Sequence, residues 1–233
     1  MPVPVYWLAC LVAAHILADF PLQTKRLIKN KRQFRGLLLH GMIHGLVSYL
    51  LCAQWSMWYL PLVVAVVHST VDYIKRNRWH FFILDQLLHI VTLVILVLVL
   101  PFDDSLSINI FRSIYFRALV LMSGLVVITM GSGIFIGNIM QLHMKRNNLK
   151  LSGLAYGGYW IGFLERLMIF LLILFNMPAG IGFLIAAKSI LRFSETKDDQ
   201  KMAEYVLIGT LLSFSLSIPL AVLTKYAVYM VTI

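Results

Sequence analysis

The sequence predicts an all-α fold: a polytopic membrane helical bundle of about eight transmembrane helices, or seven plus a re-entrant segment. Three observations carry that expectation. Of the 233 residues, 60% are hydrophobic and only 13% are charged. Mean hydropathy is +0.84, far from that of a soluble domain. Apolar stretches recur along the whole chain, separated by short basic or polar runs.

Span one covers 3–22, and the basic stretch Lys25, Arg26, Lys29, Lys31, Arg32 and Arg35 closes it. Span two covers 36–55. Span three, 61–74, is rather short and ends in Lys75, Arg76 and Arg78. Span four covers 81–100, and the polar loop 101–109 with Asp103 and Asp104 follows. Span five, 114–140, precedes Lys145, Arg146 and Lys150. Span six covers 154–175. Span seven, 179–193, is short enough to be tilted or re-entrant. The charged loop 194–201 leads to span eight, 203–230. We expect residues 1–100 to form a four-helix half built from two similar hairpins. Residues 101–233 would form a C-terminal four-helix half, packed with the first as one compact unit.

The loops after spans one, three, five and seven hold all the Lys and Arg except Arg112, Arg117, Arg166 and Lys225, counting Lys188 and Arg192 with the loops. The positive-inside rule then places those loops in the cytoplasm and both termini outside. The net charge of +10 therefore sets topology. No recognition motif accompanies it, so nucleic acid is excluded as a partner. Cys10 and Cys52 fall inside spans with no CxxC spacing and read as small buried hydrophobes. The first span lacks a basic leader and contains His15 and Asp19, which argues against a cleaved signal peptide.

The first four spans each carry two metal-ligand residues four apart: His15/Asp19, His40/His44, His68/Asp72 and Asp85/His89. Spacing of four stacks two side chains on one helix face, as in the HExxH metal motif. Charged or imidazole groups in apolar spans are costly, which makes each a functional candidate. In the expected topology all four pairs lie at one depth, near the cytoplasmic side. Asp19 is about 9 Å of helix rise from Lys25. The two hairpins also read as a repeat: H-x3-D-F, basic loop, H-x3-H, then H-x3-D-Y, basic loop, D-x3-H. Eight mixed imidazole and carboxylate ligands suit one or two divalent ions, with zinc first and manganese or iron as alternatives. The metal-free alternative is a polar network or proton path.

Beside these ligands, Lys25 and Lys75 are positioned to bind an anionic substrate, and Gln23 and Gln86 to orient ligand or substrate. In the C-terminal half, Glu165, Arg166, Lys188 and Arg192 form a second polar group. It reads either as cations neutralised by Glu165 or Glu204, or as a substrate headgroup pocket. Gly133-x3-Gly137 and Gly158-x3-Gly162 are expected to let helices approach closely. His80 and His143 are expected to be solvated at loops.

The segments HILADFPLQTK (15–25), LLHGMIH (38–44), HSTVDYIK (68–75) and FILDQLLH (82–89) resemble an uncharacterised bacterial membrane family, the domain of unknown function 3307. GFLERL (162–167), GFLIAAKSILRF (182–193) and AEYVLIGTLLS (203–213) look like its longer members. The resemblance implies a bacterial inner-membrane location and no particular reaction.

From the residues, the expectation is a metal-dependent membrane hydrolase at the cytoplasmic leaflet, acting on a lipid or lipid-linked phosphate. Asp19, Asp72 and Asp85 are its candidate catalytic carboxylates; an Asp not bound to metal would serve as general base. One alternative is a di-iron oxidoreductase acting on acyl chains. Another is a divalent-cation or proton transporter or sensor, which should place its site nearer the midplane. Membrane lipids are the expected partners, and a homo-oligomer is left open.

Overall fold

A computed structural model describes residues 3–24, 27, 33–75, 82–102, 110–147, 156–195 and 200–230. The helices are α1 (Val3–Asp19), α2 (Phe34–Cys52), α3 (Leu60–Lys75), α4 (Phe82–Val99), α5 (Ile110–Val126), α6 (Ser132–Arg146), α7 (Gly157–Leu174), α8 (Ala179–Glu195) and α9 (Gln200–Met230). A π-helical turn, Val127–Gly131, joins α5 to α6 without a break. The described residues thus form eight helical rods and no strand. Five stretches are long and apolar enough to cross a membrane: Phe34–Cys52, Phe82–Val99, Ile114–Arg146, Gly157–Leu174 and Gln200–Met230. Val5–Asp19, Leu60–Ile74 and Ala179–Ile190 are shorter apolar helices. The chain is a helical membrane bundle.

Its contacts divide it into two compact units, one ending at Ser123 and one spanning Gly124–Met230. In the first, α2 packs on α3 and on α1, and α4 packs on α1 and α3. Local signals set the helix limits. Pro21 follows α1 and cannot continue its hydrogen-bond ladder. Pro61 sits in the first turn of α3, where a missing N–H costs nothing. Ala53 adopts a left-handed conformation (φ 51°) after α2 and returns its N–H to the Tyr49 carbonyl.

The apolar core of this unit gathers Trp7, Cys10, Leu11, Leu60, Leu93, Leu96, Phe116 and Leu119. Trp7 stacks on Phe102 and the Tyr115 hydroxyl donates to the Leu51 carbonyl at 2.6 Å. The core therefore occupies the N-terminal part of α1, leaving its C-terminal turns for the polar pair. α2 is built the opposite way to a soluble helix. It buries Gly36, His40, Gly41, His44, Gly45, Ser48 and Cys52, and it exposes Leu38, Leu39, Met42, Leu46 and Leu50. A polar, small-residue stripe inside and an apolar face outside suit a lipid surround.

In the second unit, α9 packs on α7 and α6. The π-helical turn matters there. Such a turn leaves its carbonyls irregularly paired, and the Thr129 carbonyl accepts from Arg166 Nε at 3.1 Å and Nη2 at 2.8 Å.

Candidate metal centre

The four ligand-bearing helices meet at alternate ends. His15 and Asp19 lie in the last turns of α1, and His68 and Asp72 near the end of α3. His40 and His44 lie in the early turns of α2, and Asp85 and His89 in the first turns of α4. Bringing C-terminal, N-terminal, C-terminal and N-terminal ends together requires consecutive helices to run antiparallel. His15, His40, His44, His68 and His89 are all at most 5% exposed. Their rings cluster tightly: His44 stacks on His68 with centroids 3.4 Å apart, and His68 lies 4.3 Å from His89.

Three ligand atoms form a compact triangle. Asp19 Oδ1 lies 3.1 Å from His40 Nε2 and 3.3 Å from His44 Nε2, and the two nitrogens are 3.2 Å apart. Bonds of about 2.0–2.1 Å to a tetrahedral ion would set neighbouring ligand atoms about 3.3–3.4 Å apart. The triangle thus has nearly the dimensions of one face of a coordination tetrahedron. His68 completes a four-residue group with ligand atoms within 4.8 Å of one another. A second group, His68, Asp72 and His89, meets the same limit. Asp72 Oδ2 is 3.5 Å from His68 Nε2 and 3.7 Å from His40 Nε2, and its Oδ1 is 3.8 Å from His89 Nε2. Because His68 belongs to both groups, they are parts of one centre.

The hydrogen bonds around this centre fix its ligands. His89 Nδ1–H donates to the Asp85 carbonyl at 2.9 Å, and Asp85 Oδ1 lies 3.4 Å from the same nitrogen. A carbonyl can only accept, so the proton is on Nδ1 and the Nε2 lone pair faces the centre. Carboxylate support behind a ligating imidazole raises its basicity. Gln86 Nε2 donates to Asp19 Oδ2 at 3.2 Å and to Asp85 Oδ2 at 3.4 Å. Its amide oxygen therefore accepts from His15 Nε2–H at 3.2 Å. His15 also lies 3.5 Å from Asp19 Oδ2. Gln23 Nε2 lies 3.4 Å from His40 Nε2, whose lone pair a bound ion would take in its place. The structure thus places six of the eight expected ligands in the two groups and sets His15 and Asp85 just behind them.

The residues fit a divalent ion. His68 Nε2 and His89 Nε2 are buried and have no hydrogen-bond partner among the described residues. Buried polar atoms are normally satisfied, and a cation between these two imidazole nitrogens and the Asp72 carboxylate would satisfy all three. A cavity of about 10 Å³ lies against His15, His44, His68 and His89, room for one water-sized species. The His/Asp cluster could hold a metal ion, and its donor set suits zinc, manganese or iron.

The remaining sequence candidates fall elsewhere. Lys25 lies outside the described residues, as do the side chains of Lys75 and Arg192 and the whole of His80. Glu165, Arg166 and Lys188 lie in the second unit. Glu165 pairs with Lys188 at 2.7 Å, while Glu204 accepts from Gln200 instead. The glycine expectation needs correction. A Cβ at Gly133 or Gly162 would strike the Arg166 guanidinium, at 2.6 and 2.8 Å. At Gly137 or Gly158 it would meet nothing within 4 Å. These glycines make room for a side chain and a cavity rather than for a neighbouring backbone. The close helix approach lies at Gly41 and Gly45, directly after His40 and His44. His143, expected to be solvated, is half-buried in the last turn of α6 with Tyr205 stacked 6.3 Å away. The pattern H-G-x2-H-G was the available signal for the Gly41 and Gly45 contact.

Residues 7–119 match the family model described as a protein of unknown function, DUF3307. That stretch contains all four pairs and Gln86, so the resemblance to this uncharacterised family rests on the metal-centre half of the chain. No curated protein and no solved structure matches the chain.

Gln86→Leu tests the supporting shell. It removes the amide that ties Asp19, Asp85 and His15 together while leaving the six grouped ligands in place. Metal affinity, titrated with a competing chelator, should fall about 10–100-fold. An unchanged affinity would show that Gln86 does not orient the ligands.

Proposed function

We propose that this protein is a metal-dependent hydrolase of the bacterial inner membrane, with zinc held near the cytoplasmic face and a lipid or lipid-linked phosphate as substrate. The observation that carries this reading is the Asp19, His40 and His44 triangle joined through His68 to Asp72 and His89. A bound divalent ion polarises a phosphoryl or acyl oxygen and makes water acidic enough to attack near neutral pH. Asp19, His40, His44, His68, Asp72 and His89 would hold the ion or ions. Asp85, in neither group, is the carboxylate left to take the proton of the attacking water. Gln86 fixes Asp19 and Asp85 relative to each other. Lys25 and Lys75, which follow Asp19 and Asp72 in the chain, would bind the substrate anion. Basic loops after the odd-numbered spans support the cytoplasmic placement.

The test is a hydrolysis screen of a bacterial lipid extract by zinc-loaded protein in nanodiscs. Wild type should release a soluble phosphate product, and Asp85→Asn, assayed at saturating zinc, should lose about 10²–10⁴-fold in rate. The roughly 10 Å³ cavity holds no more than one water and no headgroup, so a reading that needs no enclosed headgroup stands second. An iron-loaded protein that consumes oxygen and hydrolyses nothing would establish a di-iron oxidoreductase instead.

A further inference from the structure

The second unit contains a cavity of about 540 Å³, a size typical of sites for small organic ligands. Its wall is contributed by α6, α7, α8 and α9 and includes Gly137 and Gly158. An added Cβ at either would meet nothing within 4 Å, so the space is open at both positions.

The charges on this wall do not balance. Among its described residues, Arg166 and Lys188 are cations and Glu165 is the one carboxylate. Glu165 pairs with Lys188 at 2.7 Å and is also the carboxylate that acts on Arg166, so one negative charge serves two cations. Arg166 is only 4% exposed, and it donates to the neutral Thr129 carbonyl, which satisfies two N–H groups without neutralising the guanidinium. A buried cation in an apolar bundle calls for a counter-charge. Ser213, 4% exposed, lines the same cavity, and its hydroxyl has no hydrogen-bond partner among the described residues. The rest of the wall is largely apolar and aromatic, with Met140 and Tyr159.

We propose that this cavity is a binding site for a phosphate group, with Arg166, Lys188 and Ser213 as its polar ligands and the apolar wall seating any attached chain. Phosphate supplies both the missing charge and enough acceptor oxygens for a guanidinium, an ammonium and a hydroxyl. The site lies within the second unit, and its readout is binding rather than turnover.

The experiment uses the full-length protein in neutral detergent. Melting is followed with dihexanoyl phosphatidic acid, with inorganic phosphate and with dihexanoylglycerol, which has the same chains and no phosphate. Phosphatidic acid at a hundredfold excess over Kd should raise Tm by about 5 °C or more. Dihexanoylglycerol should not. A response to phosphatidic acid alone identifies a lipid headgroup as the source, and an equal response to inorganic phosphate identifies the free anion. Gly137→Leu and Gly158→Leu fill the cavity without removing a charge, and each should weaken the response at least about tenfold, the equivalent of losing one charged hydrogen bond. The same shifts are expected in the His40→Ala/His44→Ala background, so failure of the metal reading leaves this result standing. Equal shifts with dihexanoylglycerol, no shift with any phosphate ligand, or wild-type responses from both filled variants would overturn the proposal.

Discussion

Purified without chelators, the wild-type protein is expected to carry about one or two equivalents of a divalent transition ion, and the His40→Ala/His44→Ala variant to lose at least one of them. The triangle of Asp19 Oδ1, His40 Nε2 and His44 Nε2, with edges of 3.1–3.3 Å, would be reduced to a lone carboxylate oxygen. His68, Asp72 and His89 would remain, so a two-ion centre should keep one equivalent. His68→Ala is the sharper single change, because that residue alone belongs to both groups. It should lower affinity by more than about 100-fold, beyond the range for residues that only support a ligand. Elemental analysis of size-exclusion-purified protein reads all three. Retained helicity by circular dichroism separates lost ligands from lost fold. Wild-type protein that emerges metal-free and binds no added zinc, manganese or iron would leave the cluster as a hydrogen-bonded network and remove the basis for hydrolysis.

The spans and the paired His and Asp residues were legible in the sequence for different reasons. Apolar stretches are dictated by the bilayer, and the eight expected spans correspond to eight helical rods among the described residues. A spacing of four fixes two side chains to one helix face, and this made His15/Asp19 and its three counterparts visible. Periodicity says nothing about how each helix is rotated against its neighbours. Hence the sequence could not rank the eight ligands. The sorting of Asp72 into the centre and of Asp85 behind His89 depends on that rotation. Gln86 is the clearest example. It follows Asp85 on a different helix face, yet its amide spans Asp85, Asp19 and His15 because α1 and α4 pack together.

The second unit was less legible. Hydropathy ends span five at 140, whereas the helix continues through a π-helical turn to Arg146. Such a turn has no distinctive composition; Thr129 and Ser132 hydroxyls bonding back to the carbonyls of Leu125 and Ile128 accompany it. The glycine pairs were read by the usual rule of close helix contact. Their partner is a guanidinium, and no spacing rule encodes that.

Gly45→Leu should unfold the first unit and empty the metal centre although it touches no ligand. A Cβ built on Gly45 lies 2.9 Å from the Pro61 carbonyl carbon and 3.2 Å from its Cα. At Gly41, one turn earlier, a Cβ would lie 2.7 Å from the Ala65 carbonyl oxygen. These obstacles are backbone, and proline fixes its own φ, so neither can swing aside as a side chain would. Relief requires α2 and α3 to separate. That separation would pull His44 from His68, whose rings stack at 3.4 Å, and would open the four-ligand group. Overpacking ordinarily costs about 1–3 kcal/mol. Gly45→Ala should lie in that range, and leucine should exceed it. A helix-interior glycine replaced by alanine ordinarily gains about 1 kcal/mol from propensity, so a net loss at Gly45 isolates the helix contact. Gly137→Leu is the matched control, since open space surrounds that position. Melting in detergent and bound metal should therefore fall together for Gly45→Leu, whereas Gly137→Leu should keep its metal and melt no lower than wild type. A Gly45→Leu protein with wild-type Tm and full metal content would mean that α2 and α3 do not meet at these glycines, and the centre they frame would have to be rebuilt from a different packing.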